Sequence, residues 1–206
     1  MKKYNLLYLL LLSVSIMGTY AAENKNSKTK TQTTTAKEPA TNPKVIKWLT
    51  WDEMVKLNEK TPKKIFVDFY TDWCGWCKVM DRNTFEDTIV AELMNKDFYC
   101  VKFNAERRDT ITFLNKQWKH VPGGRNGYHE LAAYFMQNQL SYPTFTVLTH
   151  DYKLITPLKG YIAPPQFEPI ISFLGKDYWK PEAGKNLDLY KQEYVSPRTT
   201  PWVQPQ

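Results

Sequence analysis

Residues 65–78 read Ile65-Phe66-Val67-Asp68-Phe69-Tyr70-Thr71-Asp72-Trp73-Cys74-Gly75-Trp76-Cys77-Lys78, and their reading decides the fold. The first six are apolar, β-branched or aromatic except for one carboxylate. A run without alternation predicts a central strand covered on both faces. A C-x-x-C pair follows, and Lys78, Val79 and Met80 carry on as a helix. Cys74 therefore sits where a buried strand gives way to a helix, whose unpaired N–H groups and positive dipole end favour a thiolate. Cys77 lies one turn further on, within reach to attack a mixed disulfide at Cys74. A zinc knuckle would need two more ligands from Cys100, His120, His129 and His150, none of which forms a second pair with metal spacing, so no metal is expected. A static disulfide is the remaining alternative, and the strand–C-x-x-C–helix context favours redox use.

Asp68 is the second informative residue. A lone carboxylate ion inside a buried strand costs several kcal/mol, so its pKa rises instead and it can exchange protons near neutral pH. Alone, its composition would favour an Asp bonded to backbone at a strand end.

Outward from this segment the pattern alternates. Residues 45–49 predict a short strand, and Thr50-Trp51-Asp52-Glu53 has the form of a capping box opening a helix that stops before Pro62. Asp87 caps a helix through Ile89, Leu93 and Met94, and residues 98–103 form the next strand. Asp109 caps a helix with Ile111, Leu114 and Trp118 on one face. Residues 121–127 are a Gly-rich loop, and residues 128–138 return to helix. Pro143 opens a strand over 144–148, a turn at Asp151-Tyr152 leads to a strand over 154–162, and Pro164-Pro165 begin a last helix ending at Gly175. Alternation followed by a strand pair describes an α/β sheet with a hairpin at its edge.

The 206-residue chain has room for one sizeable domain with appendages. Lys2-Lys3, a 12-residue apolar run from Leu6 to Met17 and small residues at Gly18, Ala21 and Ala22 predict a secretory signal peptide over residues 1–22. The run is well short of the roughly 20 residues that span a bilayer. No cysteine precedes Cys74, which argues against a lipid anchor and for a periplasmic destination. Residues 23–43 are polar and lack aromatics, as in a flexible linker. The domain is expected over 44–175, and residues 176–206 form an aromatic and proline-bearing extension whose path is not readable. The formal charge of +7, or +5 without Lys2 and Lys3, lacks the aromatic interleaving that nucleic-acid binding needs. Three cysteines exclude a disulfide-stapled scaffold and leave Cys100 as an inert core thiol.

Residues 65–78 resemble the thioredoxin active-site segment, including the acid six positions before the first cysteine. Val101-Lys102-Phe103-Asn104 is similar to the neighbouring thioredoxin strand, and Tyr142-Pro143-Thr144 to the family's cis-proline loop. Three motifs in order, spanning residues 45–175, make the resemblance specific. It implies a thioredoxin-like α/β fold with a central mixed sheet flanked by helices. Cys74 would be the nucleophile, Cys77 the resolving thiol, Asp68 the proton acceptor, Lys102 its electrostatic partner, and Pro143 would face the cysteines. Tyr142 would offer its backbone to an extended substrate, with Trp73, Gly75 and Trp76 forming the rim. No cofactor is implied.

Two departures bear on function. Gly75-Trp76 stands where thioredoxin carries Gly-Pro, as in exported bacterial thioredoxin-like proteins, and the absence of a histidine between the cysteines favours a reductase. From Lys102 to Pro143 is 41 positions, longer than a minimal thioredoxin, with the surplus around residues 105–127. The expectation is a monomeric exported reductase of protein disulfides, supplied with electrons by a membrane protein. The competing readings are an oxidase or isomerase using the same pair, and a binding module without turnover.

Overall fold

A computed structural model describes residues 45–205, so the signal peptide and the linker expected over residues 1–43 lie outside the described residues. Strand β1 (Trp48–Leu49) leads into helix α1 (Trp51–Lys60), where the capping box forms in full. Thr50 Oγ1 accepts the Glu53 amide at 3.3 Å, and Glu53 Oε2 accepts the Thr50 amide at 2.8 Å. Such a cap contributes about 1 kcal/mol. Strand β2 (Lys64–Tyr70) follows, then α2 (Gly75–Met80), a π-helical turn over Asp81–Phe85, α3 (Thr88–Asp97) and β3 (Phe98–Asn104). Asp87 caps α3 by accepting from the amides of Ile89 and Val90.

Next come two small hairpins, β4 (Ile111–Phe113) with β5 (Lys116–Trp118) and β6 (His120–Val121) with β7 (Tyr128–His129). Helix α4 (Glu130–Phe135), strands β8 (Thr144–Leu148) and β9 (Leu154–Lys159), and helix α5 (Pro164–Gly175) complete the fold, with α6 (Leu187–Glu193) beyond it. The main sheet runs β1-β3-β2-β8-β9, parallel on the β1/β3/β2 side and antiparallel from β8 onward. This is the mixed sheet expected.

Strand β2 is buried on both faces, as its unbroken apolar run requires. Ile65, Val67 and Phe69 pack with Trp51 and Met54 of α1 and with Leu131 and Phe135 of α4. Phe66 faces the other way, into Phe85, Phe145 and Phe167, with ring centroids between 5.6 and 6.0 Å. Each fully buried ring stabilises the fold by roughly 1.5–3 kcal/mol. Cys100 belongs to this second layer; burial pushes its thiol up to about 12, which makes it inert.

Three expectations are corrected. Residues 111–118 are a β-hairpin and not a helix: Leu114 and Asn115 both have positive φ, the backbone of a two-residue hairpin turn. The apparent helical face of Ile111, Leu114 and Trp118 is accidental, because Leu114 is exposed while Phe113, off that face, is buried. The helix expected over 128–138 shrinks to six residues, since Tyr128 and His129 pair with β6 and Gln137 and Asn138 turn left-handed. The strand expected to reach residue 162 stops at Lys159, where Gly160 adopts φ +79°.

The C-terminal residues follow a defined path. Tyr178, Trp179, Leu187 and Tyr190 pack on the α3/α5 layer. Arg198 makes a two-pronged pair with Asp87 at 2.8 and 3.0 Å and also reaches the fully buried Glu168 of α5. One guanidinium thus ties the start of α3 to α5. Among the described residues no helix is long and apolar enough to cross a membrane.

Candidate active site

The chain leaves β2 at Tyr70 and turns through buried Thr71, whose carbonyl accepts the Cys74 amide at 3.1 Å. Cys74 is the N-cap of α2: its Sγ accepts the Cys77 amide at 3.0 Å and is joined to Cys77 as a disulfide. Both cysteines are buried, whereas Trp73 and Trp76, each directly preceding one of them, are 51% and 60% exposed. A Cβ on Gly75 would meet nothing within 4 Å, so the backbone between the cysteines is open to an approaching chain. On reduction, the Cys77 amide and the start of α2 are placed to stabilise a thiolate on Cys74.

Asp68 is fully buried on β2, the strand that leads into this turn, and shares the strand face of Phe66. Lys102, its register partner on β3, sets its ammonium 2.7 Å from Asp68 Oδ2 and also bonds Asp81, just past α2. The rings of Trp48, Tyr70 and Phe85 surround that ammonium at 5.0–5.6 Å. Among the described residues Asp68 Oδ1 finds no hydrogen-bond partner. Burial raises the Asp68 carboxyl to about 6; the Lys102 charge only partly opposes this, and Asp81 adds to it. Burial pulls Lys102 down, but its two carboxylates outweigh that and hold it above the ordinary lysine value.

The peptide between Tyr142 and Pro143 is cis. Tyr142 meets Trp73 edge to face at 6.0 Å, and Trp76 leans on Tyr161 at 5.7 Å. Two grooves flank Tyr142. One of about 260 Å³ lies among Trp76, Pro143, Gly160 and Tyr161; one of about 460 Å³ lies between Trp73 and residues 123–128.

The structure sets Asp68 against Lys102 and Trp73 against Tyr142, and it places Trp76 and Pro143 on one groove. Others carried no readable signal. Asp81 falls one turn after Cys77, a spacing that points to it once α2 is known. Glu106 accepts from Trp73 Nε1 at 2.8 Å and from Asn126 Nδ2 at 2.9 Å, contacts across 33 and 20 residues that no local pattern foretells. His129 is buried as the N-cap of α4 and His120 bonds the Asn126 carbonyl, so both hold the inserted hairpins in shape. Among the described residues no three His, Cys, Asp or Glu side chains are grouped to hold a metal ion.

Residues 24–166 match Thioredox_DsbH, described as a protein of unknown function, DUF255. The chain belongs to this family. A solved thioredoxin from Thermus thermophilus superposes with a TM-score of 0.50 at 17% identity, covering 68% of this chain and 98% of that one, and shows that this Thioredox_DsbH member has the thioredoxin fold. Among curated proteins, an uncharacterised protein of Caenorhabditis elegans is 29% identical over 90 residues, 43% of this chain and 12% of its own length. The thiol:disulfide interchange protein DsbD of Pectobacterium atrosepticum is 30% identical over 81 residues, 32% of this chain and 14% of its own length. The chain therefore spans only a small part of the curated relatives it matches.

Proposed function

We propose that this chain is an exported thiol–disulfide oxidoreductase that reduces disulfides of protein substrates. The observation that carries the reading is the Cys74–Cys77 pair at the head of α2, directly after a strand whose buried Asp68 carboxyl is raised to about 6. In the reduced form the Cys74 thiolate attacks a substrate disulfide. One substrate sulfur leaves with the electron pair of the broken bond and takes a proton from water, and the other stays bonded to Cys74. Cys77 then gives its proton to the Asp68 carboxylate and attacks Cys74 Sγ, which releases the second substrate thiolate and forms the Cys74–Cys77 disulfide. Two electrons have passed to the substrate, so a dithiol donor must restore the pair. A membrane protein is the natural donor for an exported domain, and the partial likeness to a thiol:disulfide interchange protein fits exchange with a dithiol partner. Export rests on the Lys2-Lys3, apolar and small-residue pattern of residues 1–22.

The test is the equilibrium reduction potential of the Cys74–Cys77 pair, titrated against a dithiothreitol or glutathione buffer. A value near roughly −270 mV fits a reductase; a value near roughly −120 mV would make the protein an oxidant and overturn the direction. Mass spectrometry of the protein recovered outside the cytoplasm should find residues 1–22 removed, and their retention would refute cleavage.

A further inference from the structure

At the end of the sheet away from the cysteines, where β2 and β3 begin, a groove of about 470 Å³ opens beside the edge strand β1. Its lining is largely apolar: Ile46 and Leu49 on the β1 side, Leu57 of α1, and Phe98 and Tyr99 of β3. Asn95 of α3 builds the rim. Its side chain accepts the Lys47 amide at 2.9 Å and donates to the Val45 carbonyl at 2.7 Å, and its own carbonyl accepts the Lys63 ammonium at 2.6 Å. The walls are therefore fixed before anything binds. Lys63 is the charged end of the groove, its ammonium 5.5 Å over the Tyr99 ring. Its neighbour Lys64 pairs with Asp177 at 2.9 Å, whereas among the described residues Lys63 makes no ion pair. Burial pulls Lys63 below the ordinary lysine value, and the charge of Asp97, outside ion-pair range, opposes this only in part.

We propose that this groove binds a single-chain amphiphile of the fatty-acid class, with its alkyl chain along Leu57, Phe98 and Tyr99 and its carboxylate on the Lys63 ammonium. The lining and the charge select this occupant together. An alkyl chain gains by leaving water against the apolar walls. One half-buried ammonium without a counter-ion calls for one negative charge, and a carboxylate supplies it through a charge-assisted hydrogen bond. A neutral apolar ligand would take more water from that ammonium and give it no partner. The site lies at the opposite end of β2 from Cys74 and takes no part in disulfide exchange.

The experiment compares decanoate with decanol by calorimetric titration of the whole protein at low salt, below the concentration at which decanoate forms micelles. Decanoate should saturate one site. In Lys63→Met, which keeps the apolar stem, its Kd should rise about fivefold while decanol holds its affinity, and Lys63→Arg should retain most of the decanoate binding. Leu57→Asn should weaken both ligands about tenfold. Amide resonances that move on adding decanoate should fall in residues 46–49 and 95–99. Failure of decanoate to saturate, or an equal loss of both ligands in Lys63→Met, would overturn the proposal. So would shifts centred on Cys74 and Trp76, which would place the ligand at the cysteines. Binding seen only with phosphatidylglycerol vesicles would also overturn it, by making Lys63 part of a membrane-facing surface.

Discussion

The segment 65–78 and the insertion, residues 105–127, meet along one groove but are specified in opposite ways. The contacts that set the two cysteines and the acid are local or one strand away: Cys74 bonds Thr71 and Cys77, and Asp68 pairs with its register neighbour Lys102. The insertion is held by reach. Phe113 packs on Trp51 at 5.0 Å, His129 bonds the Asp109 carbonyl, and Glu106 crosses to Trp73. Chemistry that needs fixed geometry over three residues can be written locally, whereas an inserted wall needs the whole fold to place it.

The sharpest way to test the division is to disable the chemistry and leave the wall. Cys77→Ala should abolish turnover and accumulate mixed disulfides at Cys74, seen as adducts on non-reducing gels that dithiothreitol releases. If no partner is captured, the resolving role of Cys77 fails.

Next in size is Asp68→Asn, expected to slow exchange at neutral pH by about 10²-fold or more, as loss of a general base does. Its stability effect has a definite sign. The folded carboxyl titrates at about 6, above its unfolded value, so Asp68 weighs least on stability below about pH 4, and stability is lost as pH rises through 6. The shift corresponds to about 3 kcal/mol at most. Denaturant midpoints of the oxidised wild type should therefore fall from pH 4 to pH 7.5 relative to Asp68→Asn; parallel curves would remove Asp68 as a proton acceptor.

Breaking the wall alone calls for Gly127→Ala. Gly127 has φ +72°, and a Cβ there would lie 2.3 Å from the Val121 carbonyl oxygen and 2.6 Å from the His120 ring. The cost of a left-handed alanine is about 1–2 kcal/mol before that clash. Hydrogen exchange should speed up in residues 120–129 while β2 and β3 stay protected; uniform loosening would mean that the insertion and the reactive core form one cooperative unit.

The smallest effect sharpens the border between the two regions. Asp81 raises Asp68 and shares its lysine, so Asp81→Asn should lower the Asp68 titration. The carboxyl resonance of Asp68 followed by NMR reads this directly, and an unmoved midpoint would show that Lys102 is not shared.

Residues 65–78, the capping box at Thr50 and the Asp87 cap were legible because their signals are local: an unbroken apolar run, a hydroxyl three residues before a glutamate, a carboxylate at a helix start. The hairpin over 111–118 was not, because Ile111, Leu114 and Trp118 satisfy a helical period that the left-handed turn at Leu114-Asn115 contradicts. The C-terminal path was equally hidden, since Arg198 finds Asp87 across 111 residues.

By itself, then, the sequence determined an α/β sheet with an edge hairpin, the cysteine pair at a helix start and the buried acid, because strand burial and helix starts are set by neighbours in the chain. The thioredoxin-like form followed from the resemblance of three motifs. Only the tertiary structure decided that the insertion walls the site, that Glu106 and Asn126 hold Trp73, and that Asp81 draws on Lys102. Those contacts join side chains brought together by long loops, and their partners are chosen by packing and by the need to satisfy buried polar groups.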